Sequence, residues 1–220
     1  MCGRYNVTPN AEAFIEAFDI IEGIELLPDT PRYNIAPSGA PVPAVRQGER
    51  GRALCLLQWP LIPHWAKEGS IKFSTANAKG ETVADKPSFR TAWRKGRRCL
   101  IPANGYYEWR KTADRKQPYH IQLPGGELFA FGGLWDRCQT NAGDTIESCT
   151  IITTPPTAVM REIHPRMPLI IPRSAYAQWL SGDDAAEHIR PFDDLELECH
   201  PVSTFVNNPR NDDPRCLEPA

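Results

Sequence analysis

The sequence predicts an α+β fold: one domain over residues 1–220, with an antiparallel or mixed, barrel-like β-sheet at its core and helices at its edges. Short runs rich in β-branched and aromatic residues recur between turn residues, which is typical of strands. The 22 prolines favour short elements joined by ordered loops. A chain of this length can bury one sizeable core, and no repeat or linker divides it.

Two pairs of β-rich runs flank turn sequences and therefore predict two hairpins. These are residues 42–46 and 53–59 around the turn 48–51, and residues 119–123 and 128–134 around Pro124-Gly125-Gly126. Further β-rich runs cover residues 149–153 and 167–171. Together these runs supply most of the predicted sheet.

Capping residues predict the helices. Thr8-Pro9 resembles an N-cap followed by proline at the first helical position, and the helix would run to about Phe18. Its buried stripe would be Ala13, Phe14, Ala17 and Phe18. The other predicted helices cover residues 88–95, closed by Gly96; residues 174–180, stopping by Gly182; and a short segment capped by Asp183 or Asp184 that ends before Pro191.

Cysteine usage indicates a reducing compartment. The seven cysteines are an odd number, and no apolar signal segment follows Met1. We therefore expect free thiols, a cytoplasmic location, and no membrane association, because no apolar run is long enough to span a bilayer. No CxxC or HxxxH pair is present, so we expect no metal and no cofactor, and a monomer is the default expectation.

The charges are segregated although the net charge is only −2. Residues 86–98 contain six bases and no acid, with Phe89 and Trp93 among them, whereas residues 183–198 are strongly acidic. A basic stretch with interleaved aromatic residues is typical of nucleic-acid binding. The alternative is a solvated helix face, which charge runs often form.

Cys2 is the first candidate for chemistry because of its position. Removal of Met1 would leave a residue with both a free α-amine and a thiol, whose pKa values lie at about 8 and about 8.5. A 1,2-aminothiol reacts selectively with aldehydes: the amine forms an imine, and the thiol closes a five-membered thiazolidine ring. The alternative is that a cysteine occupies position 2 by chance.

Glu108 is the second candidate. It lies in Asn104-Gly105-Tyr106-Tyr107-Glu108-Trp109-Arg110, where a turn leads into a predicted strand. Alternation places Tyr107 and Trp109 on one face and Tyr106, Glu108 and Arg110 on the other. A carboxylate among aromatic residues is partly desolvated, which raises its pKa and suits it to proton transfer. The alternative is a surface salt bridge.

Two further segments contain polar residues suited to a site. Ile163-His164-Pro165-Arg166-Met167-Pro168 fixes the directions of His164 and Arg166 with its two prolines, and histidine can act as a general acid or base. Residues 74–82 offer the Asn77 amide and the Lys79 charge. The alternatives are a solvated loop histidine and a polar connection.

Together these segments resemble the SOS-response-associated peptidase family, the abasic-site processing proteins. Each motif is weak alone, but they occur in family order and cover essentially the whole chain. The matching pieces are Met1-Cys2-Gly3-Arg4-Tyr5, Arg32-Tyr33-Asn34-Ile35-Ala36-Pro37, Asn77-Ala78-Lys79 with Glu81-Thr82, Arg97-Cys99-Pro102 running into Gly105-Tyr106-Tyr107-Glu108-Trp109, Ile163-His164 with Arg166 and Pro168, and His200-Pro201-Val202-Ser203.

The resemblance implies a function in DNA damage. Cys2 would form a thiazolidine with the ring-opened deoxyribose of an abasic site in single-stranded DNA. Asn77 would hold the Cys2 end and the sugar, Glu108 would shuttle protons, and His164 would act at the sugar ring oxygen. The peptidase of the family name would be self-removal of Met1, with lyase-type chemistry and crosslink reversal as associated activities.

The resemblance also implies a set of DNA contacts, with the protein at the nucleoid when it is bound. Phosphates would meet Arg4, Lys79, Lys86 and Arg166, and bases would stack on Trp65, Phe89 and Trp93. Lys79 and Lys86 stand where the family pattern leads us to expect arginine. Lysine keeps the charge but lacks the bidentate fork, so phosphate binding would have less directional control.

Two other classes of function stay open from the residues. Class II glutamine amidotransferases also begin Met-Cys-Gly, and there the thiol attacks an amide carbonyl. Here Cys2-Gly3 continues into Arg4-Tyr5-Asn6 instead of an apolar strand, and no synthase domain follows. A non-catalytic single-strand-binding module is the third possibility; its binding would ignore the lesion and survive Cys2→Ala.

Overall fold

A computed structural model of the chain describes residues 2–113, 115–182, 184–192 and 195–220. The strands are β1 Arg4–Val7, β2 Ile20–Glu22, β3 Arg32–Ile35, β4 Pro41–Gln47, β5 Arg52–Gln58, β6 Asn77–Lys79, β7 Arg98–Ala103, β8 Gly105–Lys111, β9 Lys116–Gln122, β10 Phe129–Gln139, β11 Thr145–Thr154, β12 Met167–Pro168, β13 Ile170–Ile171 and β14 Glu198–Pro201. The α-helices are α1 Ala11–Phe18, α2 Arg90–Arg94, α3 Ala158–Arg161 and α4 Tyr176–Ser181. Short 3-10 segments include Gly80–Thr82, Pro124–Gly126, Arg173–Ala175, Ala185–His188 and Thr204–Asn207.

Five strands close into a mixed barrel. Antiparallel pairing runs from β5 through β4, β7 and β10 to β11. The ring closes where β11 pairs in parallel with β5, with Ser148 opposite Gln58. Closure removes the two free edges that an open sheet would expose. The predicted α+β class and barrel-like core are therefore confirmed.

A second, antiparallel sheet lies against the barrel in the order β14-β9-β8-β1-β3. Tyr5 on β1 is fully buried and joins the two sheets, since its ring packs edge-on at 5.6 Å from both Trp59 and Phe131. Such edge-to-face contacts are favourable for aromatic rings. Because β1 begins at Arg4, this anchoring also fixes the position of Cys2 just before the strand.

One predicted hairpin is confirmed and the other is wrong. β4 and β5 pair from Pro41 with Gln58 to Gln47 with Arg52, as predicted. β9 and β10 both form, but β9 pairs with β8 and β14, whereas β10 pairs with β7, β11 and β13. The turn Pro124–Gly126 has both glycines at φ of 69° and carries the chain from one sheet to the other.

The helices start and end close to their predicted places. α1 is capped by Asn10, whose side chain accepts from the Ala13 amide, so the predicted Thr8 cap is two residues early. Phe14 and Phe18 are buried and Ala13 and Ala17 are partly buried.

Gly96 and Gly182 follow α2 and α4 with positive φ, as C-terminal glycines do. Asp184 precedes a 3-10 turn and, within the part of the chain that the structure describes, its side chain makes no cap hydrogen bond; Asp183 lies outside that part. Among the described residues, no helix combines the length and apolar character needed to cross a membrane.

Candidate active site

Cys2 lies in the interior, with its side chain fully buried. Asn77 at the start of β6 donates a hydrogen bond from Nδ2 to the Cys2 carbonyl oxygen at 2.8 Å. β6 is held in place by parallel pairing with β11, where Asn77 lies opposite Ile151. Asn77 Oδ1 is also buried and has no hydrogen-bond partner among the described residues. Burial raises the pKa of the Cys2 thiol.

Glu108 lies in the middle of β8 and is only 2% exposed, so it is not a surface salt-bridge residue. The predicted alternation is present: Tyr106 belongs to the main core, while Tyr107 and Trp109 belong to a smaller cluster on the other face. Burial raises the pKa of the Glu108 carboxyl, and the charge of Glu108 in turn contributes to the raised pKa of the Cys2 thiol. The strand therefore places a buried carboxyl, whose pKa is raised, beside the Cys2 end.

His164 completes the group at the tip of the 163–168 loop. Its Nδ1 lies 3.9 Å from Glu108 Oε1. The same nitrogen lies 3.1 Å from the Arg166 amide nitrogen and 2.9 Å from the Arg166 carbonyl oxygen, which fixes the ring. The side chain of His164 is 25% exposed, so it borders solvent on one side and Glu108 on the other.

The structure thus brings together Cys2, Asn77, Glu108 and His164, which lie far apart in the sequence. Their groups are a thiol, an amide whose buried oxygen can accept a hydrogen bond, a buried carboxyl with a raised pKa and an imidazole. This set can bind a polar substrate, move protons and form a covalent bond. Within the described residues, no group of three or more metal-ligating side chains is present.

A groove of about 640 Å³ adjoins Asn77. Its lining combines bases with aromatic rings: Lys79, Lys86, Trp65, Phe73 and Phe89. Trp65 is 43% exposed and Phe73 is 55% exposed, so both rings can receive a ligand. Phe73 was not predicted as a site residue from the sequence. The feature that could have indicated it is its position directly before the polar segment 74–82.

Trp93 does not line this groove. Its ring packs 6.5 Å from that of Trp179, and the Arg98 guanidinium lies over it at 4.4 Å. Trp93 is partly buried and packs against the core, so stacking of a base on its ring stays a prediction.

The two predicted phosphate-binding arginines are engaged within the protein. Arg166 binds both carboxylate oxygens of Glu81 and the Thr153 carbonyl oxygen, and this hydrogen bonding lowers the pKa of Glu81. Arg4 donates to Asn34 Oδ1 and to the Val206 carbonyl oxygen, each at 2.9 Å. A phosphate contact at either residue stays a prediction, and it would require the ligand to share or replace these acceptors.

Comparison with known proteins places this geometry in context. The family model described as SOS response associated peptidase (SRAP) matches residues 1–209. The chain is 37% identical over 224 residues to the abasic site processing protein YoqW of Bacillus subtilis (strain 168), covering 99% of each. It is 31% identical over 271 residues to the abasic site processing protein HMCES of Rattus norvegicus, covering 100% of this chain and 76% of that protein.

Solved structures share the fold. A protein from Bacteroides thetaiotaomicron matches with a TM-score of 0.83 and 26% identity, and each chain is covered completely. A phage-related protein from Bordetella bronchiseptica matches with a TM-score of 0.70 and 27% identity, covering 91% of this chain and 94% of that one.

Proposed function

The chain belongs to the SOS response associated peptidase family, and from that premise we propose that it forms a covalent crosslink between Cys2 and abasic sites in single-stranded DNA. The observation that carries the proposal is the convergence of Cys2, Asn77, Glu108 and His164 beside a basic, aromatic groove. The named relatives are abasic site processing proteins, which supports the choice of lesion.

The reaction begins once Met1 is removed and the Cys2 α-amine is free. The amine nitrogen adds to the aldehyde carbon of the ring-opened deoxyribose and gives a carbinolamine. Loss of water gives an imine, and the Cys2 sulfur then adds to the imine carbon while the thiol proton passes to the nitrogen. One aldehyde and one aminothiol therefore yield one thiazolidine and one water.

Each neighbouring group has a role that its environment supports. Asn77 holds the Cys2 carbonyl with its Nδ2 and offers its buried Oδ1 to the sugar. Glu108, whose pKa is raised by burial, donates a proton to the departing hydroxyl and then accepts the thiol proton. His164 acts at the sugar ring oxygen, where a group beside Glu108 and solvent can exchange protons.

The groove holds the strand. Lys79 and Lys86 attract phosphates, while the exposed rings of Trp65 and Phe73 offer stacking to bases that flank the lesion. Phe89 is only 7% exposed, so a base would stack on the small part of its ring that faces the groove. An abasic site lacks a base, so no base need be flipped out before the sugar reaches Cys2. The protein would act as a monomer in the cytoplasm, at the nucleoid when it is bound to DNA.

Removal of Met1, imine-based lyase chemistry and reversal of the crosslink belong to the same proposal. A peptide bond, an imine and a thiazolidine all require proton transfer beside the Cys2 nitrogen. Glu108 and His164 are the titratable groups placed there. One set of proton donors can therefore serve hydrolysis at the N-terminus and ring closure or opening at DNA.

The test is a crosslinking assay with single-stranded DNA that carries one abasic site. Protein with Met1 removed is compared with Cys2→Ala and Cys2→Ser on a denaturing gel after heating. We expect a heat-stable adduct with the natural protein only. Cys2→Ser keeps the amine but lacks the sulfur, so it should give a heat-labile imine that borohydride traps.

The controls separate the three classes of function. Unmodified DNA should give no adduct. A heat-stable adduct of equal yield with Cys2→Ala would contradict the proposal. Ammonia release from glutamine would support the amidotransferase alternative, and lesion-independent binding that survives Cys2→Ala, without any adduct, would support the plain binding module.

A further inference from the structure

A second basic cleft, about 520 Å³ in volume, is not used by the chemistry proposed above. Its lining includes His64, Lys67, Lys95, Arg97 and Arg137. Five of its lining residues are exposed: Lys67, Lys95 and Arg137 are cationic, and Gln139 and Thr145 are neutral. Such a concentration of one charge in a concave surface focuses the electrostatic potential on an anion.

The buried carboxylate of Asp136 contacts several residues that line the cleft. Asp136 is 1% exposed, and its Oδ2 accepts from the His64 amide at 2.9 Å and contacts His64 Nδ1 at 3.0 Å. Its Oδ1 accepts from the Arg97 guanidinium and from the Arg137 amide, the latter at 2.9 Å. The positions of His64 and Arg97 are therefore set by the fold before a ligand arrives, which lowers the cost of binding one.

The cleft keeps a positive charge in spite of Asp136. Four cations, Lys67, Lys95, Arg97 and Arg137, face one carboxylate, so three charges are uncompensated within this set. Glu147 pairs with Arg137 on the neighbouring strand β11, but its carboxylate is bound to Arg46 at 3.0 Å.

Residues that line the cleft and residues that line the groove are neighbours at two places in the chain. His64 lines the cleft, and the next residue, Trp65, lines the groove. Phe89 lines the groove and Lys95 lines the cleft, with α2 between them, so the two lie about 9 Å apart along the helix axis. The cleft therefore lies close enough to the groove for a strand that leaves past Trp65 to reach it.

We propose that this cleft is a second phosphate-binding subsite, which holds the backbone of the single strand on one side of the lesion. Arg97 offers a planar fork that suits a phosphate, while the lysines act as point charges. The inference rests on the proposed function, since it assumes that single-stranded DNA occupies the groove.

The test removes charge from the cleft without disturbing Asp136. Lys67→Gln/Lys95→Gln/Arg137→Gln is compared with the processed natural protein, with DNA that carries an abasic analogue lacking the aldehyde, so that binding is reversible. The matched control is Lys111→Gln/Arg115→Gln/Lys116→Gln, which removes three exposed charges from the β8–β9 region instead. Affinity is measured from about 50 to about 200 mM salt.

As the salt concentration rises, the cleft variant should lose less of its affinity for DNA than the natural protein does. Three phosphate contacts on a single strand contribute about 2 to the slope of log affinity against log salt, so its affinity loss over this range should be about twentyfold smaller. The control should keep the natural slope. The effect should vanish when the oligonucleotide is shortened on one side of the lesion, while crosslinking of a short, saturating abasic oligonucleotide stays unchanged.

The outcomes separate the two proposals. Equal slopes for the cleft variant and its control would overturn the subsite, even if the natural protein crosslinks normally. Failure of the natural protein to crosslink aldehyde-bearing DNA would overturn the proposed function, whereas a slope difference in that same case would still support a single-strand subsite in the cleft.

Discussion

The two faces of β8 bury polar groups in opposite ways. On one face, Glu108 lies beside His164, and the raised pKa of its carboxyl follows from burial. On the other face, His120 is 2% exposed and its Nε2 lies 2.8 Å from Asn6 Oδ1. There burial lowers the pKa of His120 to about 3.

The difference shows that burial alone does not decide what a polar group can do. Desolvation favours the neutral form of both groups. The Glu108 carboxyl therefore keeps its proton to higher pH and can donate it. The His120 imidazole instead stays neutral, and it is enclosed by the fold. Gly105 closes the second face, because a Cβ there would lie 2.2 Å from His120 Nε2. The Glu108 face is instead accessible: Asn77 lines the neighbouring groove, and the side chain of His164 is partly exposed to solvent.

The largest effect is expected from Glu108→Gln. This substitution keeps the shape of the side chain and removes its proton transfer, so the crosslinking rate should fall about 10²- to 10⁴-fold. Stability should be maintained or increased at high pH. Because the pKa of Glu108 is raised in the fold, ionising this carboxyl lowers the free energy of unfolding as the pH rises through its folded pKa. Glutamine does not ionise, so the variant avoids that loss.

Single-turnover crosslinking rates and urea unfolding at two pH values check this prediction. The matched variant is His120→Gln on the opposite face, which should crosslink at close to the natural rate. Equal losses of rate in both variants would mean that the two faces are not distinct in the way described.

A smaller effect is expected from Gly105→Ala. The added methyl group would overlap the His120 ring, with 2.2 Å to Nε2 and 2.5 Å to Cε1, so unfolding should become easier by about 1–3 kcal/mol. The crosslinking rate per folded molecule should not change. Urea denaturation measures the loss, and adding His120→Ala should recover part of it; natural stability in the single variant would show that the second face can expand.

The effect that is smallest at neutral pH concerns acid stability. Since the pKa of His120 is about 3 in the fold and 6.5 in the reference state, the unfolded chain binds the extra proton between these values. The contribution of His120 to the free energy of unfolding is therefore complete above about pH 6.5 and is lost as the pH falls towards about 3. This group alone gives a slope of up to about 1.4 kcal/mol per pH unit in that range. His120→Gln should flatten the curve of unfolding free energy against pH, and parallel curves would contradict the assignment.

The sequence predicted the elements whose signals are local. The β4–β5 turn, the C-terminal glycines of α2 and α4 and the alternation along β8 all depend on neighbouring residues. The false hairpin between β9 and β10 failed because strand pairing is not local: β10 finds β7 in a different sheet. A turn sequence indicates where the chain bends, but it does not indicate which strand comes next to it.

The same limit applies to the candidate site. Cys2 and Glu108 were visible because position and strand parity single them out. The partners of Arg166 were not, since Glu81 lies 85 residues away in the chain. The cleft organiser Asp136 was missed for the same reason, because its contact His64 is 72 residues distant and an isolated aspartate in a strand carries no signal of burial.

The central claim is that Cys2 itself holds the lesion, and mass spectrometry of the crosslinked protein tests it most directly. We predict an intact mass equal to processed protein plus abasic DNA minus one water, with the DNA remnant on the N-terminal peptide after digestion and stable to heat. A remnant on any other peptide, or a mass that retains Met1, would contradict the account.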